Sequence, residues 1–208
     1  MTIEDAYNTW ANQYDTNENI TRDLDQKATI ATLSKYHFKD VLELGFGTGK
    51  NTQWLLTKAE RIIGLDFSDE MLEIAKSKIS DRKVILKKAD LNKPWEIEDN
   101  QVDLVTSSLT LEHIDDLNHI FKQAGNKLIT EGLFFICELH PAKQYMGSKA
   151  KYKTETGIEE LEVFTHHISD YLESAESYGF SLLEIKEWFD NPKQKDIPRL
   201  ISFVFKKE

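Results

Sequence analysis

Short runs of consecutive apolar residues alternate along the first two thirds of the chain with stretches whose apolar positions recur every three or four residues. The runs are DVLELG (40–45), RIIGLD (61–66), VILKKAD (84–90), VDLVTSS (102–108) and GLFFICEL (132–139). Runs of this length and continuity suit strands covered on both faces of a parallel sheet. Between them, Met71, Leu72, Ala75 and Ile79 fall on one face of a helix predicted over 69–80. Leu117, Ile120, Phe121, Ala124 and Leu128 do the same over 116–128. Parallel strands need crossover connections, so the alternation predicts an open α/β sheet with helices on both faces.

Beyond residue 139 the rhythm changes. A polar stretch (140–165) precedes a helix with Ile168, Tyr171, Leu172, Ala175 and Tyr178 on one face, and Thr165 stands as its expected N-cap. Two more strand-like runs, 181–189 and 199–207, read as a closing hairpin around the loop DNPKQKDIP. The 140–165 stretch exceeds an ordinary connection, and insertions of that length are often functional. No repeat or low-complexity linker divides the chain, so 1–208 reads as one domain.

Composition narrows the partners. Net charge is −10, from 36 acidic and 26 basic residues, the opposite of a nucleic-acid footprint. The one basic run, GSKAKYK (147–153), has no second cluster to extend it and reads as solvated surface. A small-molecule ligand is therefore expected, with no nucleic-acid partner. No apolar run approaches the roughly 18 residues that span a bilayer, so membrane insertion is not expected. The first ten residues are acidic and polar, unlike a secretory signal, and Cys137 is the single cysteine. A cytoplasmic location follows as the expectation.

Chemistry concentrates after the first strand. Gly45, Gly47 and Gly49 allow a sharp turn and a close approach of backbone to ligand. Their G-x-G-x-G spacing fits neither the dinucleotide fingerprint nor the triphosphate loop, where Lys50 comes too early. Glu43 stands two residues before the turn, Asp66 closes the second strand and Asp90 the third. A carboxylate ending strand two suits ribose hydroxyls, and one ending strand three suits an adenine amino group. Three acids around one crevice repel pyrophosphate and favour a ligand with a positive charge, a ribose and an adenine. S-adenosylmethionine has all three.

VLELGFGTGK, IIGLDFSDEML, KKADLNKPW and VDLVTSSLTLEHIDDL resemble the consecutive motifs of class I S-adenosylmethionine-dependent methyltransferases, of the small-molecule type related to the ubiquinone and menaquinone enzymes. ITEGLFFICEL resembles their next strand entry but departs at Thr130, Glu131 and Gly132 from the usual Lys-Pro-Gly-Gly turn, and the tail DYLESAESYGFSLLEI resembles their late helix and strand. The resemblance implies a Rossmann-like sheet of seven strands, order 3-2-1-4-5-7-6, with strand 7 antiparallel. It further implies N-terminal lid helices (1–34), a cofactor-binding core (35–139), a substrate-side insertion (140–165) and a C-terminal helix and strand pair (166–208). Carried over, it places Gly45 and Gly47 at the methionine end of the cofactor, with Glu43 supporting the ammonium. Asp66 meets the ribose, Phe67 and Met71 flank the adenosine, Asp90 and the backbone of Leu91 meet the adenine, and Ser107 lies by the methionine. Tyr14, in a Tyr-Asp pair like the family's, closes over the cofactor, and Arg22 is placed to meet a carboxylate.

Methyl transfer needs alignment, exclusion of water and, where the nucleophile carries a proton, a base. Candidate bases are Glu112 and His113 after strand four, Glu138 and His140 after strand five, and His166 and His167 before the late helix; His140 and His166 are taken as the catalytic pair. No metal site is expected, because adjacent histidines point apart and no third ligand has suitable spacing. Tyr145 and Tyr152 are further candidates for the pocket wall. Three other readings remain: a cofactor-binding protein without methyl transfer, serving as a regulatory or scaffold subunit; a nicotinamide oxidoreductase, which the glycine spacing disfavours; and a methyltransferase of a macromolecule, for which the acidic charge weighs against nucleic acid.

Overall fold

Each of the five apolar runs is a strand in the structure, a computed structural model that describes residues 2–16, 18–148, 151–154, 157–193 and 196–208. They are β1 (Asp40–Leu44), β2 (Arg61–Asp66), β3 (Val84–Lys88), β4 (Val102–Ser108) and β5 (Leu128–Leu139). The insertion holds a hairpin, β6 (Lys151–Thr154) and β7 (Gly157–Glu160), and the chain closes with β8 (Phe180–Trp188) and β9 (Leu200–Lys207). The helices are α1 (Ile3–Tyr14), α2 (Ile20–Leu33), α3 (Lys50–Leu55), α4 (Asp69–Lys78), α5 (Leu117–Lys127), α6 (Pro141–Tyr145) and α7 (Ile168–Ser177).

The main sheet runs β3-β2-β1-β4-β5-β9-β8. Counting only its seven strands, this is the expected order 3-2-1-4-5-7-6. β1 to β5 pair in parallel, and β9 is antiparallel to both neighbours. Alternation explains why both faces are covered. Phe134 and Ile136 of β5, with Phe203 and Phe205 of β9, join Phe121 of α5 and Tyr171 of α7 in one core. Phe135, Cys137, Leu200 and Val204 point the other way, toward Ala28 and Leu33 of α2 and Leu55 of α3.

Three boundaries differ from the pattern. α5 stops at Lys127, and Leu128, expected on the helix, opens β5 instead. The strand then kinks at Glu131 (φ 66°), and a side chain at Gly132 would strike the Ile129 carbonyl at 2.8 Å. On α7 the buried residues are Tyr171, Ser174 and Ala175, whereas Leu172 and Tyr178 are more than a third exposed. Its N-cap is His167 rather than Thr165. The β6–β7 hairpin escaped the sequence reading because KYKT and GIEE offer no run of apolar positions. Among the described residues no helix is long and apolar enough to cross a membrane.

Candidate active site

The turn after β1 holds Gly45 at φ 66° and Gly47 at φ 54°, where side chains are strained. A Cβ on Gly45 would lie 2.1 Å from Thr110 Oγ1, so this glycine lets two loops touch. A Cβ on Gly47 would meet no atom within 4 Å. It would stand in a cavity of about 450 Å³ at the carboxyl ends of β1 to β4.

Tyr14, Gly45, Gly47 and Asp66 line that cavity, as do Phe67, Met71, Asp90 and Leu91. Asp66 is 4% exposed. Its Oδ2 accepts the Gly47 N–H at 2.8 Å and its Oδ1 the Ser68 N–H at 3.0 Å. Burial raises its pKa, and the backbone N–H groups oppose the rise. Asp90, at the exposed rim, accepts from the backbone and side chain of Asn92. α1 forms the roof. Asn8 accepts the Ser68 hydroxyl at 2.7 Å, and Glu4 pairs with Lys88 at 2.8 Å.

Beneath Tyr14 a smaller space of about 50 Å³ is walled by Asp25, Glu43 and Gly45. Glu43 accepts the Thr52 hydroxyl at 2.6 Å, and burial lifts its pKa to about 8. Asp25 accepts from Asn51 at 3.0 Å through Oδ2, its buried Oδ1 makes no close hydrogen bond among the described residues, and burial lifts it to about 6 against the opposing pull of Asn51, Cys137 and Ser108. The Arg22 guanidinium lies 4.0 Å from the Tyr14 ring centroid and donates to the Tyr14 carbonyl. Ser107 is enclosed in β4 and lines neither space; Ser108, one residue on, lines both. Period-two alternation explains the swap, since neighbours on a strand face opposite sides.

The histidines are spoken for. His140 caps α6, its Nδ1 accepting the Ala142 N–H at 3.1 Å while Nε2 points to Glu187 at 3.2 Å. His166 Nε2 lies 2.7 Å from the Ile114 carbonyl and 3.1 Å from that of Leu111; carbonyls only accept, so this nitrogen carries a proton. Neither lines the cavities above; His140 Nδ1 and His166 Nε2 bond to the chain around the site. His167 receives or gives a bond to the exposed Tyr145 hydroxyl at 2.6 Å, and Tyr145 lines no cavity here. The Tyr152 side chain lies outside the described residues. Glu138 accepts the N–H groups of Thr110 and Leu111 at 3.0 and 2.9 Å, and burial lifts it to about 8.

Two groups do reach open space. His113 Nδ1 faces the Glu162 carbonyl at 3.2 Å and is therefore the protonated nitrogen, leaving Nε2 to accept the Tyr7 hydroxyl at 2.9 Å. Both residues line the large cavity. Glu112 lines a second chamber of about 440 Å³, which shares Tyr7, Tyr14 and Leu109 with the first. Leu109 sits at φ 52°, a left-handed conformation that costs a non-glycine residue about 1–2 kcal/mol.

Sequence reasoning missed Tyr7, Asp25 and Ser108. Asp25 had a signal: the buried stripe of α2 reads Arg22, Asp25, Ala28, Thr29, Thr32, Leu33, with two charges on a core-facing line. Tyr7 had none, because its role depends on which loop α1 covers.

Residues 42–136 match the family described as a methyltransferase domain. The chain is 28% identical over 224 residues to an uncharacterized methyltransferase of Emericella nidulans, across 88% of this chain and 77% of that protein. It is 28% identical over 137 residues to a demethylmenaquinone methyltransferase of Thermotoga maritima, across 64% of this chain and 58% of that one. The solved structure of an S-adenosylmethionine-dependent methyltransferase from Clostridium acetobutylicum matches with a TM-score of 0.74 at 21% identity, across 97% of this chain and 99% of that one.

Proposed function

We propose that the chain is a class I S-adenosylmethionine-dependent methyltransferase that acts on a small molecule, a reading supported by the methyltransferase-domain match over residues 42–136 and by the likeness to an uncharacterized methyltransferase. The likeness to a demethylmenaquinone methyltransferase supports an acceptor of that size. So does a site enclosed by α1 rather than open to a macromolecular surface.

The observation that carries the cofactor assignment is Asp66. Each of its oxygens already takes one backbone N–H, which fixes the carboxylate, and each keeps a lone pair for a ribose hydroxyl. Gly47 leaves the adjoining space free of side chain. Phe67 and Met71 offer apolar flanks to the adenosine, Asp90 and the Leu91 backbone meet the base, and Gly45 with Ser108 borders the methionine end. Asp25 and Glu43 favour an ammonium and disfavour pyrophosphate, and Asp25 Oδ1 makes no close hydrogen bond among the described residues. When bound, S-adenosylmethionine supplies a methyl group already activated by its sulfonium. The chain then has three tasks: to orient, to exclude water with Tyr7 and Tyr14, and to take any proton from the nucleophile. Burial raises Tyr14 to about 12 and lifts Tyr7 well above the usual tyrosine value, so both remain neutral walls at physiological pH.

The test is calorimetric titration with S-adenosylmethionine and S-adenosylhomocysteine, with NAD as control. Tight binding of the first two alone is expected. A folded protein that binds neither overturns the reading.

A further inference from the structure

We propose that the second chamber is the acceptor site, taking a molecule that bears an anionic group on one part and a hydroxyl or amine nucleophile on another, with the nucleophile set against the Glu112 carboxylate. This rests on the methyltransferase reading above.

The chamber is the right size for a small ligand, and its shared wall of Tyr7, Tyr14 and Leu109 brings an occupant to the edge of the cofactor cavity. Glu112 is the group left unanswered there. It is 9% exposed, and its Oε2 is fully buried without a hydrogen-bond partner among the described residues. An unmet buried acceptor is costly, and an O–H or N–H from a ligand removes that cost. The charged and titratable groups that face it are Tyr7 from α1, Glu138 from β5 and Tyr171 from α7, with His113 beside it in the chain. None is a cation paired with it. Burial alone lifts Glu112 to about 7, so near neutrality a substantial fraction is ionised and able to accept a proton.

The chamber's cations lie on other elements. Lys143 of α6, Arg199 before β9 and Arg22 of α2, whose guanidinium is engaged with the Tyr14 ring and carbonyl, line it in a chain whose net charge is −10. Arg199 is held by Asp190 and by the Thr21 hydroxyl at 3.0 Å, and its carbonyl accepts the His140 N–H at 2.8 Å, which ties it to the start of α6. The Lys143 side chain makes no hydrogen bond or salt bridge among the described residues, although its charge is felt by Asp190, the partner of Arg199. Trp10, Leu139 and Met146 supply apolar wall. An anion near Lys143 and Arg199, with an X–H group at Glu112, matches this distribution. In the reaction the heteroatom of X–H forms a bond to the methyl carbon, the carbon–sulfur bond breaks and sulfur keeps its electron pair as a neutral thioether. The X–H proton passes to Glu112 Oε2.

The probes are 4-hydroxyphenylacetate and 4-aminophenylacetate, with their uncharged amides, titrated into protein saturated with S-adenosylhomocysteine and assayed for methylation with S-adenosylmethionine. The acids should bind at least tenfold more tightly than the amides, and Lys143→Glu should erase that difference. Glu112→Gln should keep S-adenosylhomocysteine affinity within twofold, lower turnover by about 10²–10⁴-fold and abolish the rise in rate with pH near 7. Amides binding as tightly as acids, no probe binding at millimolar concentration, or full turnover in Glu112→Gln overturns the proposal. Failure of S-adenosylhomocysteine to bind the wild type would instead sink the reading beneath it.

Discussion

The two large cavities are nearly equal in volume, about 450 and 440 Å³, yet they are assembled in different ways. The first is built mainly from residues at the ends of successive strands, 45–47, 66–67, 90–91 and 108–110, with α1 as its roof. The second draws on α1, the start of α2, the loop at 109–112, residues 139–148 and Arg199. A parallel sheet brings its strand ends to one edge whatever the surface carries. The second chamber depends on how an insertion and two distant segments fold over that edge. One site is a property of the fold, and the other belongs to this chain.

Mutations should separate the two. The largest effect is expected from Asp66→Ala, which removes two charge-assisted contacts worth about 1.5–3 kcal/mol each. S-adenosylmethionine affinity should fall by at least about 100-fold while circular dichroism stays native. Unchanged affinity would remove the ribose assignment.

The two glycines sharpen the contrast within the first cavity. Gly45→Ala should destabilise by about 1–3 kcal/mol, because its methyl group meets Thr110, and denaturant titration would register it. Gly47→Ala adds a methyl to open space, so its cost in stability should stay near 1 kcal/mol while cofactor affinity drops about tenfold.

A smaller effect tests the buried acids between the cavities. Asp25, Glu43, Glu112 and Glu138 rise from 3.8 or 4.5 to about 6, 8, 7 and 8. Between each unfolded and folded value the folded chain holds the extra proton. Their contribution is therefore greatest below about pH 4 and is lost as pH rises through about 6 to 8. Glu138→Gln should flatten part of the fall in melting temperature between pH 5 and pH 8, by a few degrees; an unaltered slope would mean that Glu138 titrates normally.

The smallest functional effect is expected from His140→Ala. Its imidazole caps α6 and lies outside both cavities, so thermal stability should decline by about 0.5–2 kcal/mol with turnover nearly intact. A turnover loss greater than the stability loss would restore His140 to the chemistry.

Much of the first cavity was legible in the sequence. Tyr14, Gly45, Gly47, Asp66, Phe67, Met71, Asp90 and Leu91 all line it, and Glu43 lines the space beneath. Ser108 lines both spaces where the sequence pointed to Ser107, a single step that turns a strand side chain to the other face. His140 and His166 were chosen because imidazoles suit proton transfer, but their hydrogen bonds go to an N–H and to carbonyls already in the chain. Glu112 shares burial and an unpartnered oxygen with Asp25 and Glu138, and what sets it apart is its place in the wall of the second chamber.

By itself the sequence determined what repeats along the chain: apolar runs that make strands, three-and-four spacing that makes helices, and the strand-end acids and glycines that the parallel sheet must gather. These follow from local periodicity and from the single edge such a sheet presents. Only the tertiary structure decided which hydrogen-bonding groups were already satisfied. It showed His166 bound to two carbonyls, Glu138 bound to two amides through one oxygen with the other unpartnered, and Glu112 Oε2 unpartnered among the described residues, because such pairing arises from contacts between segments 27 to 55 residues apart, which no local pattern records.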